Sequence, residues 1–156
     1  MARPTRPRAR WLGATGGGGS HGSDATLDLQ SGRLKITTHG HRAEGMLLSS
    51  IGGGGGQGGG SFEFGLGIEI PVHGASGGAG GHGGTVTVQS EGGSVDIETW
   101  GDKTKGFVAQ SVGGGGGTGG NDVNVGIGLT VNAQTGAENS SIGGDGGTVK
   151  VGDQQT

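Results

Sequence analysis

Residues 106–120 read GFVAQSVGGGGGTGG. Apolar residues alternate up to Val112, and five glycines then follow without a break. The same arrangement stands earlier in the chain, at 45–60, as GMLLSSIGGGGGQGGG. Gly45 falls on Gly106 and Ile51 on Val112, a spacing of 61 residues, and the two glycine pentads keep that spacing. The likeness extends in both directions. LKITTHG (34–40) matches VDIETWG (95–101), and FEFGLGIEI (62–70) matches VNVGIGLTV (123–131), both at 61. Self-similarity at one long period is the signature of a repeat architecture.

Two other matches sit out of phase. TLDLQS (26–31) resembles TVTVQS (85–90) at a spacing of 59, read as EGGS replacing GR in the following turn. GGHGGTVTV (80–88) resembles GGDGGTVKV (143–151) at 63. The resulting division is a basic disordered tail at 1–12, the end of a preceding repeat at 13–25, repeat one at 26–84, repeat two at 85–147 and the start of a third at 148–156.

Within each repeat the apolar residues lie two apart: Leu27 and Leu29, Leu34 and Ile36, then Phe62, Phe64, Leu66, Ile68, Ile70 and Val72. Period two means strands with one buried face. No useful window carries a 3.6-residue period. The glycine-rich pieces between strands read as turns. Short strands, glycine turns and end-to-end repetition predict an all-β solenoid, a right-handed parallel β-helix with Gly-rich turns, in which backbone hydrogen bonds run from repeat to repeat. The expected inward positions are Leu27, Leu29, Leu34, Ile36, Phe64, Leu66 and Ile68, with their counterparts in repeat two.

Composition agrees with a thin core. The chain has 45 glycines and 3 prolines among 156 residues, and aromatic residues make up 3%. There is no collagen-like three-residue period. Glycine loses the most backbone freedom on ordering, so folding has to rest on many backbone hydrogen bonds. Close packing demands glycine at some pentad positions, but nothing in the sequence demands it at all five.

Charge is uneven. Arg3, Arg6, Arg8 and Arg10 open a chain whose net charge is −3, so the body is acidic. It lacks the clustered cations of a nucleic-acid surface. There are no cysteines, which removes disulfides and thiolate metal sites. No apolar segment has the length of a signal-peptide core or a membrane-spanning helix. If the protein is exported, the chain is expected to be a piece of a longer one.

The stretch at 99–117 resembles the passenger repeats of Gram-negative autotransporters, the type V secretion family. Their unit T-x-G-x-x-A-x-G-[IV]-x-A-Q-S-[IV]-G-G-G-G-G-x-G-G is met by Thr99, Gly101, Gly106, Ala109, Gln110, Ser111, Val112 and Gly113 to Gly117, with Val108 one place beyond the first [IV] position. Repeat one departs at Leu48-Ser49, and repeat two has Thr104 where Ala43 fits. The resemblance spans about 13–156. It implies a β-helical passenger at the cell surface or secreted through the outer membrane, structural or adhesive rather than enzymatic. It also implies a C-terminal outer-membrane β-barrel, which this sequence lacks, and a host-cell or surface receptor as a possible partner. No nucleic-acid partner is expected.

The sequence assigns no catalytic, cofactor-binding or metal residue. The glycine runs lack the Gly-Lys-Ser/Thr and helix of a phosphate loop. Calcium β-rolls need an aspartate after the glycines; Thr85 and Thr148 stand there, and only Asp24 restores it. A calcium-responsive β-roll is therefore the alternative reading, beside a disordered Gly-rich spacer. His21, His39, His41, His73 and His82 read as exposed turn residues. Asp96 and Glu98 have a spacing that could seat two glycosidase carboxylates, but Lys35 and Thr37 replace them in repeat one. A solvated strand face is the simpler reading.

Overall fold

The computed structural model describes residues 8–66, 73–127 and 141–152. Among them there is no helix. The strands are β1 (Arg8–Trp11), β2 (Ala25–Leu29), β3 (Gly32–His39), β4 (Glu44–Ile51), β5 (Ser61–Leu66), β6 (Val86–Ser90), β7 (Gly93–Trp100), β8 (Lys105–Val112), β9 (Asp122–Ile127) and β10 (Val149–Val151). They form four sheets, none of them closed: β1-β5-β9, β10-β6-β2, β3-β7 and β4-β8. The fold is all-β with parallel sheets. Arg8 to Trp11, inside the segment expected to be disordered, form β1.

The chain divides into two compact units. One comprises 1–20, 53–81 and 114–144; the other comprises 21–52, 82–113 and 145–156.

The second unit holds β2, β3 and β4 paired in parallel with β6, β7 and β8. Ala25 lies opposite Val86, Gly32 opposite Gly93 and Ile51 opposite Val112, so one spacing of 61 serves all three pairs. The 59-residue match of TLDLQS with TVTVQS is therefore corrected: Leu27 stacks on Val88, not Val86. A two-residue slide keeps every side chain on its face, so apolar pattern alone does not distinguish 59 from 61. The positive φ of the turn falls on Gly32 (89°) in one repeat and on Gly92 (87°) in the other. The turn thus changes conformation without changing length. From β6 to β10 the spacing becomes 63, with Val86 opposite Val149. β5 and β9 still keep 61 at Leu66 and Ile127. The two extra residues therefore enter once, after Ile127.

Leu27, Leu29, Leu34 and Ile36 are half-buried while Asp28, Arg33 and Lys35 between them are exposed, as the alternation predicts. In repeat two Val88 and Ile97 are half-buried, but Val95 is 37% exposed. The core is thin: among the described residues, Val86 is the buried hydrophobic one, in the strand flanked by β2 and β10.

The first unit contains β1, β5 and β9 and most of the glycine segments. Those segments are not turns. Their N–H groups donate at every third residue: Gly53, Gly56 and Gly59 to the carbonyls of Ser20, Gly17 and Ala14, and Gly114, Gly117 and Gly120 to those of Gly81, Gly78 and Ala75. Gly78 donates in turn to Gly56, while Gly55 and Gly58 donate to Gly115 and Thr118. A three-residue period with all hydrogen bonds made between segments is that of extended polyproline-II-type helices packed side by side. The sequence has no three-residue period; the bonding has one.

None of these glycines has a positive φ, so glycine is not there for its conformational range. It is there for space. A Cβ on Gly55 would lie 1.8 Å from Gly78 O, and one on Gly117 1.9 Å from Gly56 O. Two pentad positions are different: Gly115 has nothing within 4 Å, and Gly54 only Gly115 O at 3.7 Å.

On β5 the expected inward face is reversed. Ser61 and Glu63 are buried, at 4% and 5% exposure, while Phe62 is 41% exposed and Phe64 half-buried. Val125, opposite Phe64, is also exposed. Gly74 lies on the Ser61 side, since a Cβ there would come 2.8 Å from Asp122 Oδ1. The inner face thus meets a glycine segment whose surface is peptide groups; Ser61 is satisfied there through Asp122, while Glu63 Oε2 is left without a partner. The inward placement of Leu66 and Ile68 lies outside the described side chains.

Candidate functional site

Parallel pairing at 61 places each side chain beside its counterpart, so the polar residues form ladders. One of them runs through His21, His82 and Asp145. The His21 and His82 rings stack with centroids 5.1 Å apart and planes 5° from parallel. His82 N–H donates to His21 Nδ1, and Asp145 N–H to His82 Nδ1, both at 2.9 Å. Asp145 Oδ2 lies 3.6 Å from His82 Nδ1. Each imidazole nitrogen acts as an acceptor for the next repeat's backbone. These two histidines are exposed, and they also stack and hold the backbone of the next repeat. Asp24, the candidate calcium ligand, does the same: its Oδ1 accepts the Thr85 N–H at 2.6 Å.

On the outer face of β3 and β7, Arg33 pairs with Asp96, and Lys35 Nζ lies 4.0 Å from Glu98. On β4 and β8, Glu44 lies 3.7 Å from Lys105 Nζ. The two acids that could have formed a glycosidase pair are therefore each matched to a base on the neighbouring strand. All six side chains are well exposed, and such pairs contribute about 0–1 kcal/mol each. His39 stacks on Trp100 at 6.5 Å. His41 stands in the adjoining turn, where Arg42 N–H donates to Asp102 O.

One cluster joins a hydroxyl, a carboxylate and an imidazole. Ser61 Oγ donates to Asp122 Oδ1 at 2.9 Å, and His73 Nδ1 lies 3.7 Å from Asp122 Oδ2. A serine nucleophile needs the imidazole against the hydroxyl, with the carboxylate behind it. Here the carboxylate is in the middle. Among the described residues, no group of three or more His, Asp or Glu side chains is placed to hold a metal ion.

Two residues to which the sequence alone gives no role prove to be bonded inside the second unit. Ser50 Oγ accepts the Gly84 N–H at 2.7 Å. Ser111 Oγ accepts the Gly147 N–H and donates to Gly84 O, both at 2.7 Å. The signal was there: each serine falls on the phase of Met46 and Leu48, or of Phe107 and Ala109, and a hydroxyl on an apolar phase needs a backbone partner.

The chain matches no family model, no curated protein and no solved structure. Its site chemistry therefore has to be read from its own ladders. These present stacked imidazoles, alternating ion pairs and exposed apolar rows such as Leu47, Ile51 and Val112 on β4 and β8.

Proposed function

We propose that this chain is a stretch of passenger repeat from a Gram-negative autotransporter, a non-catalytic structural or adhesive β-solenoid displayed at the cell surface or secreted through the outer membrane. The finer fold in this reading is a right-handed parallel β-helix, and the partner that anchors it is its own C-terminal outer-membrane β-barrel. The observation that carries the reading is the single 61-residue register shared by β2/β6, β3/β7, β4/β8 and β5/β9. The A-Q-S-V-G-G-G-G-G string of residues 109–117 adds to it. Side chains engaged in ladders between repeats are committed to one another, which suits display better than turnover.

Two measurements test this. Placed between an export signal and an outer-membrane β-barrel in a Gram-negative cell, the chain reaches the surface as a protease-resistant species; retention in the periplasm overturns the surface assignment. Circular dichroism of a polypeptide carrying several such repeats in tandem gives a β spectrum and one cooperative melt. A coil-like spectrum overturns the solenoid.

A further inference from the structure

β1 breaks the rule that the other pairings follow. Those pairs are parallel; β1 alone among the described strands pairs antiparallel, along the edge of β5 that faces away from β9. Its side chains match that edge. Arg10 lies opposite Glu63, while Ala9 and Trp11 lie opposite Phe64 and Phe62. Residues directly opposite share a face, so the cation sits on the acidic inner face and the apolar pair on the aromatic outer one.

The attachment is slight. β1 has four residues, and Trp11 is 74% exposed. Glu63 Oε2 is buried with no hydrogen-bond partner, although Arg10 is its register neighbour. Beneath β1 lies a β5 edge able to pair with another strand. Ser61 N–H donates to Asn121 O beside β9. By strand alternation the odd-numbered N–H groups of β5 therefore face β9, and those of Phe62 and Phe64 face β1. Uncovered, this edge would offer free N–H and C=O groups beside the exposed Phe62 and the half-buried Phe64, the arrangement that recruits a further strand.

We propose that β1 is a self-supplied cap, covering a β5 edge that otherwise pairs with the same edge of a second copy of this chain. β1 shows that the edge accepts an antiparallel strand, and a two-fold contact between identical strands has to be antiparallel. With Phe64 opposite its own copy, Glu63 falls opposite Gly65, and the two buried carboxylates stay apart. Moving the register by one pair sets Glu63 against Glu63, which like-charge repulsion disfavours. The proposal rests on β1 and β5 alone and stands apart from the surface-passenger reading.

Ala9→Pro and Trp11→Pro, each in the full chain, remove a β1 donor from the ladder. Sedimentation across a concentration series is paired with amide exchange. The unaltered chain stays monomeric. Both variants double in mass as concentration rises, and their Phe62 and Phe64 amides, unprotected when dilute, regain protection in the dimer. Glu63 and Gly65, which donate toward β9, stay protected throughout. Variants that remain monomeric at every concentration overturn the proposal, as does an unaltered chain that dimerises equally well. Loss of protection at Glu63 and Gly65 in both variants also overturns it, because β1 would then be holding the sheet together rather than covering its edge.

Discussion

Thr38 and Thr99 lie opposite each other on β3 and β7, yet only one has a partner for its hydroxyl. Thr99 Oγ1 lies 3.2 Å from Thr104 Oγ1, which also reaches Gly101 O at 3.2 Å. Thr38 Oγ1 is buried and unpartnered. The cause is one substitution between repeats: Ala43 stands 61 residues before Thr104. Ala43→Thr is expected to stabilise the chain by about 1 kcal/mol, the usual net value of a hydrogen bond. Urea unfolding measures it, and the gain should vanish in a Thr38→Val background.

The glycine layer separates two substitutions of the same kind. Gly117→Ala drives a methyl into the Gly56 carbonyl and is expected to cost more than about 2 kcal/mol, in the range of an overpacked core. Gly115→Ala meets open space and is expected to be neutral or to stabilise by about 0.4–1 kcal/mol through the unfolded chain. Equal melting temperatures for the two variants would rule out the side-by-side packing.

Ser111→Ala leaves the Gly147 N–H and the Gly84 carbonyl without that partner. The expected loss is about 1–3 kcal/mol. Ser49, exposed on the alternate face of β4, is the control: Ser49→Ala should fall within about 0.5 kcal/mol of the parent.

Arg42 and Lys103, 61 apart, both hold positive φ, at 58° and 57°. An L side chain in that region is strained. Lys103→Gly is expected to raise stability by up to about 1 kcal/mol, read from the denaturation midpoint. No gain would mean that the lysine's own contacts offset the strain.

Much of this architecture is legible in the sequence because two codes are simple. Alternation marked Leu27, Leu29, Leu34 and Ile36 as inward, and the long-range echo marked which strands pair, though it set β2 on β6 two residues out of register. The reading failed where the neighbour is not another side chain. On β5 it chose Phe64 because apolar residues ordinarily face inward, whereas the inner face meets a peptide surface and takes Ser61 and Glu63. It took the pentads for turns because glycine usually marks a change of direction. Hydrogen-bond partners at every third residue come from segments far apart in the chain, so no local window displays them. The ladder through His21, His82 and Asp145 was hidden differently. Its members occur once per repeat, and each alone is an ordinary surface residue.

The glycine layer also limits how this surface can vary. Gly55 and Gly117 admit no side chain, whereas Gln57 and Thr118 stand exposed three residues beyond Gly54 and Gly115, and Ser76 and Ala79 are likewise exposed and three apart. Substitutions in these segments are therefore confined to a comb of sites on a three-residue pitch. A lineage bearing this layer would diversify its outward chemistry tooth by tooth while the spine between stays glycine.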